Sequence, residues 1–150
     1  YFDQEIRKLE KQILSNIGAN ADLKAKYRKL MAIHSVGPKT ALTLLLDMPE
    51  LGTLNRRQVA ALAGLAPVHN DSGNFQGKRH IRRGRKVARC VLYMAALTAS
   101  FKNPVLSPFY QKLRSQGKHH QTALIAVARK LLIHINTAIK NSVSSEPEKT

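Results

Sequence analysis

Ile33-His34-Ser35-Val36-Gly37-Pro38-Lys39-Thr40-Ala41 is the stretch where a helical apolar pattern breaks and at once resumes. Gly37 permits a sharp turn, and Pro38 suits the first position of a following helix, where its missing N–H is not needed. The segment reads as a tight connection between two helices. Upstream, Ile6, Leu9, Ile13 and Ile17 recur from Phe2 at steps of three and four, with Glu5, Lys8, Glu10 and Lys11 on the other face. That spacing predicts an amphipathic helix. Gly18 to Ala21 interrupts it, and Asp22 is expected to cap a second helix through Leu23, Tyr27, Leu30 and Ile33. Residues 1–32 thus read as a helical, coiled-coil extension preceding a compact domain over 33–141.

Downstream, the helix opened by Pro38 runs through Ala41, Leu44 and Leu45 to about Asp47, where Met48-Pro49-Glu50 ends it. Asn55 with Gln58 three residues later is a capping-box pattern for a helix through Val59, Ala60 and Leu62, with Gly64 as its stop. Periodicity then vanishes from Ala66 to Gly84, a stretch holding Pro67, Gly73, Gly77 and Gly84. A long basic loop with a short hairpin around Val68 and Phe75 is expected there, and loops of such length are more often functional than structural. A helix returns over 85–101 with Val87, Val91, Met94, Ala95 and Thr98 facing inward. Ser107-Pro108 should open a short helix ending at Gly117, and a last helix should cover 121–141, apolar at Leu124, Val127, Ala128, Leu131, Ile135 and Ala138. Residues 142–150 read as a polar, frayed tail. The fold class is mostly α.

Composition agrees. The chain has 150 residues, 43% of them hydrophobic, with no Trp, so its core must come from Leu, Ala, Ile and Val. That palette suits helix packing better than a sandwich of sheets. Lys and Arg total 25 against 9 acidic residues, a formal charge of +16 at pH 7. Such an excess repels itself unless a polyanion is at hand, and nucleic acid is the usual one, since neutralising phosphates releases counterions. An anionic membrane surface is the competing partner, but the basic residues do not line one face of a long apolar helix. No uncharged apolar run reaches spanning length. Cys90 lies alone among apolar neighbours and is expected to be a buried, inert thiol, as in a reducing cytoplasm. The chain starts without Met inside a helical pattern, which suggests a piece of a longer protein.

Three segments could carry chemistry. The turn at Ser35–Thr40 resembles a helix-hairpin-helix, in which helix N-terminal amides face a phosphate oxygen, and Lys39 and Thr40 sit at that N-terminus. Ser35 stands where such hairpins carry glycine, and a plain turn between core helices is the alternative. The second is Gly77-Lys78-Arg79-His80-Ile81-Arg82-Arg83-Gly84-Arg85-Lys86, continued by Arg89, a charge density that calls for phosphates unless it is merely a solvated loop. The third is Asn70-Asp71-Ser72-Gly73. Serine beside glycine is ordinarily a turn residue, and it attacks phosphorus only with a base or positive surroundings. The neighbouring guanidinium groups could supply those surroundings, and Asp71 or His80 could accept the proton. His69, His80, His119 and His120 lack a ligand spacing, and Asp47, Glu50 and Asp71 do not assemble into a two-metal site, so no metal site is assigned.

Taken in order, Ser35-Val36-Gly37-Pro38-Lys39-Thr40-Ala41, Ala60-Ala61-Leu62-Ala63-Gly64-Leu65-Ala66-Pro67, Asp71-Ser72-Gly73, Gly77-Lys78, Ile81-Arg82-Arg83-Gly84, Tyr93-Met94-Ala95-Ala96 and Ala128-Arg129-Lys130-Leu131-Leu132 resemble one family. It is the IS-one-ten type of insertion-sequence transposase, also called bridge-RNA-guided recombinases, and the resemblance covers roughly Ile33 to Ile139. It implies a coiled coil followed by a C-terminal transposase domain, with Ser72 in the place of the family's catalytic serine, which attacks a DNA phosphodiester. It also implies an N-terminal RuvC-like domain that holds Mg through acidic residues. Nothing in these 150 residues matches that domain, so no cofactor is assigned to the chain itself. The partners so implied are DNA and a guide RNA, in a prokaryotic cytoplasm. A homo-oligomer through the N-terminal helix is expected from that helix's own apolar stripe. A non-catalytic helical module binding DNA or RNA, or an assembly domain built on the first helix, are the alternatives that the residues alone leave open.

Overall fold

The computed structural model describes residues 1–66, 71–72, 75–76 and 84–143. Seven helices stand among them: α1 (Phe2–Ala19), α2 (Ala21–Ala32), α3 (Pro38–Asp47), α4 (Arg56–Leu62), α5 (Lys86–Lys102), α6 (Leu106–Ser115) and α7 (His120–Val143). Local signals account for most of their ends. Pro38 opens α3 behind Gly37. Asn55 and Gln58 close a reciprocal capping box on α4, each side chain bonding the other residue's backbone N–H. Two caps differ from expectation. Asn20, not Asp22, caps α2 by accepting from the amides of Asp22 and Leu23. Asn103, not Ser107, starts α6 by accepting from Val105 and Leu106, so Ser107 and Pro108 fall within the first turn. Asn20 sits one residue before α2 and Asn103 three before α6, and in each case the short side-chain amide reaches two free backbone amides.

Helix α7 forms the centre of the bundle, with α2, α4, α5 and α6 packed on it and α3 packed on α5. Leu124, Val127, Ala128, Leu131, Leu132, Ile135 and Ile139 are buried along it. By length and composition α7 could cross a membrane, yet half of that stretch is buried within the bundle and Arg129 and Lys130 interrupt it. One buried polar side chain stitches α7 to the turn after α3: Asn136 accepts from the Gly52 amide and donates to the Leu54 carbonyl, both at 2.8 Å. Helix α2 joins this core through Leu30, which is fully buried. Helix α1 touches α2 and leaves Phe2, Ile6 and Leu9 exposed.

The inward face of α5 is not the expected one. Ala88, Leu92, Ala95, Ala96 and Ala99 are buried, whereas Val87 and Met94 are 59% and 61% exposed. Helix α5 is covered by three helices, and alanines let their backbones approach closely, so the small residues turn inward and the bulkier ones outward. The same rotation places Cys90 on the outer side, so it is an exposed thiol and not a buried one. The expected hairpin is present as a two-stranded antiparallel ribbon, β1 (Asp71–Ser72) and β2 (Phe75–Gln76), with Ser72 opposite Phe75 and Asp71 opposite Gln76. Val68 lies outside the described residues, as does most of the expected tail.

Candidate nucleic-acid interface

The two ends of the segment between α4 and α5 meet at one point on the bundle. The amides of Leu65 and Ala66 both donate to the carbonyl of Ala60, at 2.8 and 3.3 Å, and the amide of Arg85 donates to the carbonyl of Leu62 at 2.9 Å. Gly84 closes the neck with φ 111°, a conformation that favours glycine. A Cβ there would lie 2.2 Å from the Gly64 nitrogen, so the close backbone approach also excludes any side chain. The outgoing and returning strands are thereby pinned together, and Ser72 lies on the ribbon between them.

Charge at the neck is locked internally. The Arg85 guanidinium grips both carboxylate oxygens of Glu50, with Nη1 to Oε2 at 2.7 Å, and Nη1 also donates to the Asp47 carbonyl. The hydrogen bond from Arg85 holds the Glu50 carboxyl below its ordinary value, helped by the guanidinium charge, and the same bond holds Arg85 more firmly protonated. Asp47 accepts from the Ala88 amide at 3.0 Å, supplying from another helix the N-terminal cap that α5 lacks. The two carboxylates therefore serve the α5 N-terminus, Asp47 as its cap and Glu50 through Arg85. Arg85, expected to hold a phosphate, is a structural clamp.

Of the other expected contacts, Lys86 is exposed on the first turn of α5 and Arg89 is half-buried one turn on. Lys78, Arg79, Arg82 and Arg83 lie outside the described residues. Lys39 and Thr40 sit in the first turn of α3, whereas Asp47 at its other end meets the start of α5. Eight residues of helix, about 12 Å, separate Lys39 from Asp47. The turn before α3 has one notable backbone: Ser35 adopts φ 75°, the left-handed conformation that glycine takes most easily. A serine thus holds the glycine-type conformation at the position where hairpins of this kind carry glycine.

Sequence reading missed a second basic region. Arg56 and Arg57 on α4 and Arg129 and Lys130 on α7 line a groove of about 790 Å³. These residues are some seventy positions apart, and only the packing of α4 on α7 brings them together.

The Transposase IS116/IS110/IS902 family matches residues 27–111 of this chain. A pilin gene-inverting protein of Moraxella bovis is 30% identical over 136 residues, which cover 88% of this chain and 42% of that relative. The IS900 42 kDa protein of Mycobacterium paratuberculosis is 38% identical over 88 residues, covering 57% of this chain and 21% of the relative. The IS110 43.6 kDa protein of Streptomyces coelicolor is 30% identical over 103 residues, covering 67% and 25%. The chain thus spans less than half the length of these relatives. Its match reaches from within α2, across the pinned segment that carries Ser72, into α6, and on that span the chain belongs to the IS116/IS110/IS902 family of transposases.

Proposed function

We propose that this chain is the DNA-handling domain of a transposase or DNA-inverting recombinase and that Ser72 is its nucleophile. The observation that carries this reading is the pinned excursion between Ala66 and Gly84. A family-matched segment bearing Ser72, followed in sequence by five arginine or lysine residues from Lys78 to Lys86 apart from Arg85, is anchored on a rigid neck. A serine held on such a base can be presented to a phosphodiester while nearby cations stabilise charge on its oxygens. The Ser72 Oγ–P bond forms as the P–O bond to the leaving deoxyribose breaks. The serine proton passes to a base, for which Asp71 and His80 are the nearest candidates in sequence, and the leaving oxygen is protonated. Lys78, Arg79, Arg82, Arg83, Lys86 and Arg89 hold phosphates in this reading, and Lys39 and Thr40 contact backbone at the start of α3 through a helix-hairpin-helix.

In this reading Mg is held by a RuvC-like domain elsewhere in the protein, as the resemblance implies. A guide RNA, a homo-oligomer through α1 and a cytoplasmic, DNA-associated location complete the proposal. Recombination by the full-length protein with Ser72→Ala tests it. Loss of strand exchange with DNA binding retained is expected. Full exchange in that variant would remove Ser72 from the mechanism and leave a binding module.

A further inference from the structure

The groove between α4, α6 and α7 plays no part in the chemistry assigned to Ser72. Arg56 and Arg57 of α4 and Arg129 and Lys130 of α7 line it. Apolar side chains lie among them, Phe109 of α6 and Ile125 and Ile133 of α7, the last two on the same i, i+4 line as Arg129. The Lys130 ammonium sits 4.1 Å from the centroid of the Phe109 ring, which fixes that charge over the ring. Among the described residues no acidic side chain lines the groove. Among the described residues the carboxylates that pair do so elsewhere, Asp22 with Lys26 and Glu50 with Arg85, while Asp47 caps α5. Four cations around one hollow repel one another until a polyanion lies between them.

A smaller hollow of about 400 Å³ shares Leu65 and Ile125 with this groove and continues to Arg89 and Tyr93 on α5. Together they make one track across α7, from the start of α4 to the first turns of α5. The track passes Leu65, beside the neck from which the Ser72 segment departs.

We propose that this track binds one strand of nucleic acid with its bases unpaired. The argument rests on the reading of this chain as a DNA-handling domain, which selects nucleic acid over an acidic peptide. Phosphates lie along the arginine and lysine side chains, Lys130 over the Phe109 ring among them, and bases cover Ile125 and Ile133. A duplex presents phosphates outward and hides its base faces, so it would satisfy the cations and leave the apolar side chains wet. A strand with open bases satisfies both, which is how grooves for single strands are built. The strand is thereby led to the neck of the excursion, so the track holds unpaired nucleic acid beside the segment that carries Ser72.

Binding of the 150-residue chain to a labelled oligothymidylate of about 20 nucleotides, and to a duplex of equal length, tests the assignment when measured by anisotropy across a salt series. In the Arg56→Gln/Arg129→Gln double variant, affinity for the single strand should fall about tenfold or more. The slope of log affinity against log salt should shrink by about 1.4, the value for two lost single-strand phosphate contacts. Ile125→Ser should weaken the single strand while leaving that slope unchanged. Thermal melts of the variants confirm that the bundle persists. Unaltered affinity and slope in the double variant would overturn the proposal. Equal losses for duplex and single strand would overturn the unpaired-base reading, and a changed solution mass with strand binding intact would assign the groove to a protein partner. Ser72→Ala should leave strand binding as it was, so a failure of the serine chemistry and a failure of the groove register separately.

Discussion

Helix α1 repeats apolar residues at Phe2, Ile6, Leu9, Ile13 and Ile17, and α7 repeats them at Leu124, Val127, Leu131, Ile135 and Ile139. The first buries only Ile17, whereas the second buries every one of its set. Periodicity reports that a helix has a side to hide, and says nothing about where the cover comes from. For α7 the cover is four neighbouring helices. For α1 it is α2 alone, and the stripe toward its N-terminus stays open. Charge sharpens the contrast. On α1 the acids Asp3, Glu5 and Glu10 are matched by Arg7, Lys8 and Lys11, while on α7 Arg129 and Lys130 stand beside the buried stripe and line a groove without acidic partners among the described residues.

The contrast can be broken most sharply at Leu131. Its replacement by alanine in α7 should cost about 3 kcal/mol, the usual range for a fully enclosed leucine, and a denaturant titration reads it directly. A loss below about 1 kcal/mol would mean that α7 is not the centre of the bundle. The clamp that fixes the start of α5 should give a smaller, pH-dependent effect. Because Glu50 has a lowered value when folded, its stabilisation is complete above the ordinary value of 4.5 and drains away as pH falls below it. Thermal melts should therefore show the wild type losing its advantage over Glu50→Gln in that acid range; parallel curves would refute the coupling. At the far end of the scale, Ile6→Ala with Leu9→Ala should change stability by no more than about 0.5 kcal/mol, as for exposed positions. The same pair should lower the mass measured by light scattering if α1 is the contact between copies, and an unchanged mass would exclude that role.

What could be read from the chain was what is decided within a few residues. The capping box of Asn55 and Gln58 spans one helical turn, and Gly37-Pro38 marks the start of α3 by backbone constraints alone. The face of α5 was misread because both of its sides carry apolar residues. Bulk suggested Val87 and Met94, while the packing of three neighbours selected Ala88, Leu92 and Ala96 beside the expected Ala95. Arg85 looked like part of a basic run, and only the fold brings Glu50, thirty-five residues earlier, against it. The groove was invisible for the same reason, since the residues that line it come from opposite parts of the chain. Ser72 had a weak local signal, a serine beside glycine next to a basic run, and its role as nucleophile came only from resemblance to a family.

The neck at Gly64 and Gly84 has a consequence for how such a protein can change over generations. Where the two ends of an excursion already touch, the residues between them bear no duty of spanning a distance. Insertions, deletions and substitutions there can be tried without disturbing the helices that keep the molecule folded. A change of length between those two glycines therefore costs little loop-closure entropy, because the ends are already held in contact by the bundle.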